Sequence, residues 1–224
     1  MSFPPEKLST RVVLTDPLSP TDRRIVHDLF ERTYEEADHD YIDRSLTRLR
    51  FLALAFDGEK PVGFALADAR RVLLPRLSAP LGVILAGLCC IDPDYRRMGL
   101  FARLESLAVR ESGLVVPGER TLVCGRMAHP ASLRILRGNP TVVPRIGHVP
   151  TEWQKEIGLA VAGLYGVELD PETFVVKGKG KPIGFPRLRI EVSEEEWLPF
   201  RPVDRRRGDS LLAVAWSPDA PPGW

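Results

Sequence analysis

Apolar residues fall along this chain in two rhythms. Short, nearly unbroken runs at 11–15, 51–56, 62–67, 82–91, 121–125 and 211–216 have the composition of β-strands. Between them, Ile25, Val26, Leu29, Phe30, Thr33 and Tyr34 recur at helical spacing behind a capping cluster, Ser19-Pro20-Thr21-Asp22. The same period predicts helices over 41–49, 129–137 and 152–164, and another after Gly99 that lines up Phe101, Leu104, Leu107 and Ala108 and ends near Gly113. Asp57-Gly58-Glu59-Lys60-Pro61 has the turn chemistry of a hairpin. The run at 82–91 is apolar on both faces, which predicts a central strand. Two prolines make 73–80 a loop, and three do the same for 138–150. Residues 173–176 read as a further strand, 178–182 as a turn, and Glu194-Glu195-Glu196-Trp197 as a first helical turn. The proline-rich tail 217–224 reads as frayed.

Composition narrows the function classes. The 224 residues suit one domain, and 44% hydrophobic content is ample for a core. With 31 basic against 30 acidic residues the net charge is +1, so there is no basic field for nucleic acid. The triplet Arg205-Arg206-Arg207 reads as a loop charge run and lacks interleaved aromatics. Arginine outnumbers lysine and there are 21 prolines, a bias that fits a GC-rich bacterial genome. Three cysteines, Cys89, Cys90 and Cys124, form no disulfide framework and no Cys-x-x-Cys pair, and they read as small core residues. His27 and His148 have no partner at metal-binding spacing, so no metal is expected. Residues 1–7 have no leader pattern, and the longest apolar stretch, 81–90, is too short to span a bilayer. These features point to a soluble, cytoplasmic protein without a membrane partner.

One segment carries chemistry. Leu88-Cys89-Cys90-Ile91-Asp92-Pro93-Asp94-Tyr95-Arg96-Arg97-Met98-Gly99-Leu100-Phe101 runs from an apolar strand through a basic loop with one glycine into a helix. The first N–H groups of a helix lack intrahelical partners, and the macrodipole makes that end positive. Such an end binds phosphate groups. Gly99 permits close approach of an anion, and Arg96 and Arg97 add charge. A basic strand–helix turn without a ligand is the plainer alternative.

At these residues the chain resembles the GNAT superfamily of acyl-CoA-dependent N-acyltransferases, whose signature is a hydrophobic strand followed by Arg/Gln-x-x-Gly-x-Gly/Ala opening a helix. Arg96-x-x-Gly99-x-Phe101 meets the first two anchors and departs at the third, where Phe101 replaces a small residue. The resemblance implies an α/β (α+β) fold with a central mixed, mostly antiparallel sheet flanked by helices. Its order of elements matches roughly 8–138. It assigns 1–138 as an acyl-CoA-binding core and 139–224 as an extension of the same domain that completes the sheet and the acceptor pocket.

The activity so implied is transfer of an acetyl group from acetyl-CoA to an amine acceptor by direct attack, with acetyl-CoA as cosubstrate. Backbone N–H groups of Cys90, Ile91 and Asp92 would hold the pantetheine and thioester oxygen. Arg96, Arg97, Met98, Gly99, Leu100, Phe101 and Ala102 would cradle the pyrophosphate. Many members carry a strand glutamate as base, but Leu85-Ala86-Gly87-Leu88-Cys89-Cys90 has no carboxylate. His129 titrates in a range suited to a base, or is a helix cap beside Pro130. Tyr165 follows a helix, as the family's thiol-protonating tyrosine does, or is a packing aromatic. The cluster Glu35-Glu36-Ala37-Asp38-His39-Asp40 either attracts a cationic amine or is a solvated helix end. A homodimer is allowed by the resemblance. Two other readings stay open: a catalytically inactive acyl-CoA-binding or interaction module, and a fold relic in which Phe101 blocks the pyrophosphate.

Overall fold

The computed structural model describes residues 8–224, so the leader reading of 1–7 lies outside the described residues. In chain order the elements are β1 (Ser9–Leu14), α1 (Pro20–Thr33), β2 (Tyr34–Glu35), α2 (His39–Arg48), β3 (Phe51–Asp57), β4 (Lys60–Val72), β5 (Leu81–Ile91), α3 (Leu100–Glu111), β6 (Thr121–Met127) and α4 (Pro130–Leu133). There follow α5 (Glu152–Tyr165), β7 (Leu169–Asp170), β8 (Val175–Val176), β9 (Phe185–Pro186), α6 (Glu194–Trp197) and β10 (Ser210–Ser217). The fold is mixed α/β, with a mostly antiparallel sheet flanked by helices, as expected. Among the described residues no helix is long and apolar enough to cross a membrane. The chain forms two compact units: one of residues up to 68 with 86–113 and 183–189, the other of 69–85, 114–182 and 190–224.

In the first unit the strands lie in the order β1-β3-β4-β5. β1 runs antiparallel to β3 from Ser9 opposite Phe56 to Leu14 opposite Phe51, and β3 turns back into β4 through the expected hairpin. Phe51 through Ala55 are all buried, so β3 is covered on both faces and shows no alternation. Ser19 starts α1 by accepting the Asp22 N–H at 3.0 Å. Val26, Leu29 and Phe30 on this helix are fully buried, each worth roughly 2 kcal/mol on transfer from water. At its end Tyr34 and Glu35 turn extended as β2 and pair with Pro186 and Phe185 of β9. The Asp38 N–H donates to the Ile183 carbonyl at 3.1 Å, and the Arg187 N–H to that of Thr33 at 2.9 Å. The 183–189 segment is thereby fastened onto the α1–α2 corner.

A second tie joins α1 to α2. His27 Nδ1 lies 2.5 Å from His39 Nδ1, with the rings within 7° of coplanar and their centroids 4.8 Å apart. That separation fits two rings in line, nitrogen to nitrogen, and such a contact needs one proton between them. Each Nε2 faces a carboxylate, Asp43 at 3.1 Å for His27 and Glu31 at 2.8 Å for His39.

In the second unit the order is β5-β6-β10-β8-β7. β10 lies antiparallel to β6 from Leu211 opposite Met127 to Ser217 opposite Thr121. Leu211 through Trp216 are buried without interruption. α5 opens on a capping box in which the Thr151 side chain accepts the Gln154 N–H and the Gln154 side chain accepts that of Thr151. The expectation of a frayed tail is corrected. Trp224 packs edge-on between Trp153 and Trp216, with centroids at 5.7 and 5.4 Å, and its Nε1–H donates to the Thr141 carbonyl at 2.8 Å. A large aromatic with a satisfied polar edge holds a segment whose prolines suggested freedom.

Candidate functional site

β5 delivers the chain to the basic loop. Its second half, Ala86 to Cys89, is half-buried, whereas Phe64 to Ala67 of β4 are buried throughout. A strip of apolar strand is therefore only partly covered. Gly87 lets the backbones close up here, because a Cβ would lie 2.8 Å from the Leu66 carbonyl oxygen and 2.3 Å from Leu49 Cδ1.

The bend after β5 is pinned through Asp92, which is buried. Its N–H donates to the Val62 carbonyl at 2.9 Å, and its carboxylate accepts from Arg32 Nη1 at 2.7 Å and from the Asp94 N–H at 3.2 Å. Lys60 Nζ stands 3.8 Å away. Arg32 also donates to the Pro61 carbonyl at 3.0 Å, so one guanidinium of α1 ties the bend to the start of β4. Tyr95 donates its hydroxyl to Asp57 at 2.6 Å, and that bond raises the phenol to about 12. Arg96 folds back, Nε donating to the Ile91 carbonyl at 3.1 Å.

Arg97 and Gly99 then adopt left-handed conformations, φ 64° and 71°. Gly99 is the N-cap of α3, and no side chain caps that helix. A Cβ at Gly99 would meet nothing within 4 Å, so glycine serves the conformation and the open space in front of it. Leu100 takes the buried position that starts the apolar face, followed by Leu104, Ala108 and Val109. Phe101 was expected on that face and is instead 41% exposed, because Leu100, four positions before Leu104, takes the first place on it.

Several groups gather at the end of β5, of which the sequence had not singled out Glu105. Burial pushes the Tyr34 phenol up, and Cys90, Tyr41 and Cys89 add to it while Arg96 opposes. Burial, then Cys90 and Glu105, hold the Cys89 thiol well above its ordinary range. Cys90 is raised to about 12 by burial, against the pull of a hydrogen bond with Thr33 and of Arg96. Cys124 is likewise pushed up by burial. These are protonated thiols, without the thiolate character of nucleophiles. Glu105 on α3 is raised by burial to about 6. In the acidic cluster, Glu35 pairs with Arg187 at 3.3 Å and Asp38 with Arg44 at 3.5 Å, so neither is an isolated negative charge.

The cradle residues 90–102 all lie in the first unit, and His129 and Tyr165 lie in the second. His129 Nδ1 accepts the Ala131 N–H at 3.2 Å as the cap of α4, and its ring meets Trp197 edge-on at 5.4 Å. Burial, then Arg205 and Arg134, hold its imidazole below the usual range. Tyr165 is buried at 5% exposure, and its hydroxyl donates to the Cys124 carbonyl at 3.1 Å. Among the described residues no three His, Cys, Asp or Glu side chains are grouped to hold a metal ion.

No family model and no curated protein matches the chain. Solved structures similar to it include the ribosomal-protein-S18-alanine N-acetyltransferase from Escherichia coli, at 12% identity and TM-score 0.45, over 96% of this chain and 99% of that one. A GNAT family N-acetyltransferase from Escherichia coli in complex with CoA is 18% identical at TM-score 0.41, over 58% and 68%. Arabidopsis thaliana NAA60 in complex with acetyl-CoA is 10% identical at TM-score 0.43, over 94% and 98%.

Proposed function

We propose that this chain is an acyl-CoA-dependent N-acyltransferase that moves an acetyl group from acetyl-CoA to an amine. The observation that carries the reading is the bend after β5. A half-covered apolar strip leads into a left-handed turn with two arginines and into a helix end without a side-chain cap, which suits pantetheine followed by pyrophosphate. The amine nitrogen attacks the thioester carbonyl, the C–N bond forms, the C–S bond breaks, and CoA leaves as a thiolate that takes up a proton. Arg97, exposed beside Gly99, is the charge closest in sequence to the helix end, whereas Arg96 is partly engaged by its own strand. The Asp92 amide serves the sheet, so the thioester oxygen falls to the amides of Cys90 and Ile91.

Proton acceptance is assigned to Glu105. Burial raises it to about 6, a value matched to work near neutral pH, and it is among the charges that act on Cys89 of the strip. His129 and Tyr165 are the alternative proton carriers, separable by His129→Ala and Tyr165→Phe. Acetyl-CoA at about 100 times its dissociation constant should stabilise the protein by roughly 2.7 kcal/mol in thermal unfolding. Gly99→Trp should abolish that shift. A folded protein that acetyl-CoA does not stabilise overturns the proposal. The exposed Phe101, standing where the family has a small residue, favours a second reading in which acyl-CoA binds without turnover. Acetylation of any amine dismisses it.

A further inference from the structure

In the second unit a cavity of about 240 Å³ opens between the 140–145 loop, the start of α5 and the tail. Val142, Val143, Pro221 and Trp224 supply apolar wall, and Arg145 and Gln154 supply its chemistry. Gln154 is 2% exposed. Its Oε1 accepts the Thr151 N–H at 3.1 Å and bonds His148 Nε2 at 2.7 Å. A backbone N–H needs an oxygen there, so the amide orientation is fixed and the NH₂ group points the other way. That NH₂ has no acceptor among the described residues. It is not sealed from solvent either, since the buried unpartnered N–H of the described residues is Trp216 Nε1. Arg145 donates Nη1 to the Pro140 carbonyl and pairs with no carboxylate among the described residues, and no Asp or Glu lines the cavity.

A guanidinium without a counter-charge beside an amide donor without an acceptor selects an anion. The wall selects an apolar body. We propose that this cavity binds a small organic carboxylate, its oxygens accepting from Arg145 and the Gln154 amide and its body lying against Trp224. The indole is held for that purpose by its bond to the Thr141 carbonyl and by Trp153 and Trp216 behind it. Inorganic phosphate satisfies the charge and leaves the wall bare. The site is independent of the acyl-CoA reading.

The test is titration of the full-length protein with benzoate, followed by the side-chain ¹⁵N–H₂ resonance of Gln154. Saturable movement in the millimolar range or tighter is expected, with benzamide and inorganic phosphate about tenfold weaker or more. Arg145→Met should weaken benzoate about tenfold or more while the protein stays folded, losing only the loop bond to Pro140. Gln154→Glu keeps the oxygen that caps α5 and places a negative charge in the cavity, so it should abolish binding. A Gln154 resonance unmoved by benzoate, or benzamide or phosphate binding as tightly as benzoate, overturns the assignment. So does an Arg145→Met protein that binds benzoate undiminished.

Discussion

Glu105 is a largely buried carboxylate with no cation paired to it among the described residues. In the unfolded chain it titrates at its ordinary 4.5 and in the folded protein at about 6, so the native state holds the proton more tightly. Stability from that preference is present in full below the unfolded value and is lost as pH rises through 6. At pH 8 the buried charge costs on the order of 1 kcal/mol. Glu105→Gln should therefore raise stability in urea at pH 8 by about that amount and change nothing below pH 4. Lower stability of the variant at pH 8 would mean that the charge has a stabilising partner. Loss of acetyl transfer in the same variant would fit its assignment as proton acceptor. The sequence offered no way to single out this glutamate, because its shift comes from burial that only the folded chain creates. Gly99 was legible because glycine after a basic strand end has a local meaning. Phe101 was misplaced by one helical position.

At the level of elements, α1 reaches the loop after β5 through one side chain. Arg32→Met removes the 2.7 Å bond to the buried Asp92 and the bond to Pro61, and should cost about 1–3 kcal/mol. Arg97→Met, whose side chain bonds nothing among the described residues, should cost much less; equal urea midpoints for the two variants would show that the clamp does not hold the bend. The long elements were legible because each announces itself locally: α1 by its period and Ser19 cap, β5 by its unbroken apolar run, α5 by its helical period. β2 and β9 were not, since two residues set no pattern. Their pairing joins Tyr34 to Pro186 across about 150 positions, and only the folded chain brings them together.

On the scale of the whole molecule, the first unit ends at Gly113 and resumes with Ile183–Arg189 after the intervening chain has built most of the second. Tyr34 and Glu35 take their strand partners from that late segment, and β6 takes β10 from one later still. The chain is interlaced, and no single scission frees either unit. A protease cut in the exposed 145–149 loop should leave two fragments that co-elute under native conditions and separate only in denaturant. Each unit would still be sewn together by segments on opposite sides of the nick. Fragments that part without denaturant would contradict this. An N-terminal piece ending at 138, although it contains the whole loop after β5, would lack the strands that finish both units, so the unit around that loop stays incomplete until the chain has passed Arg189.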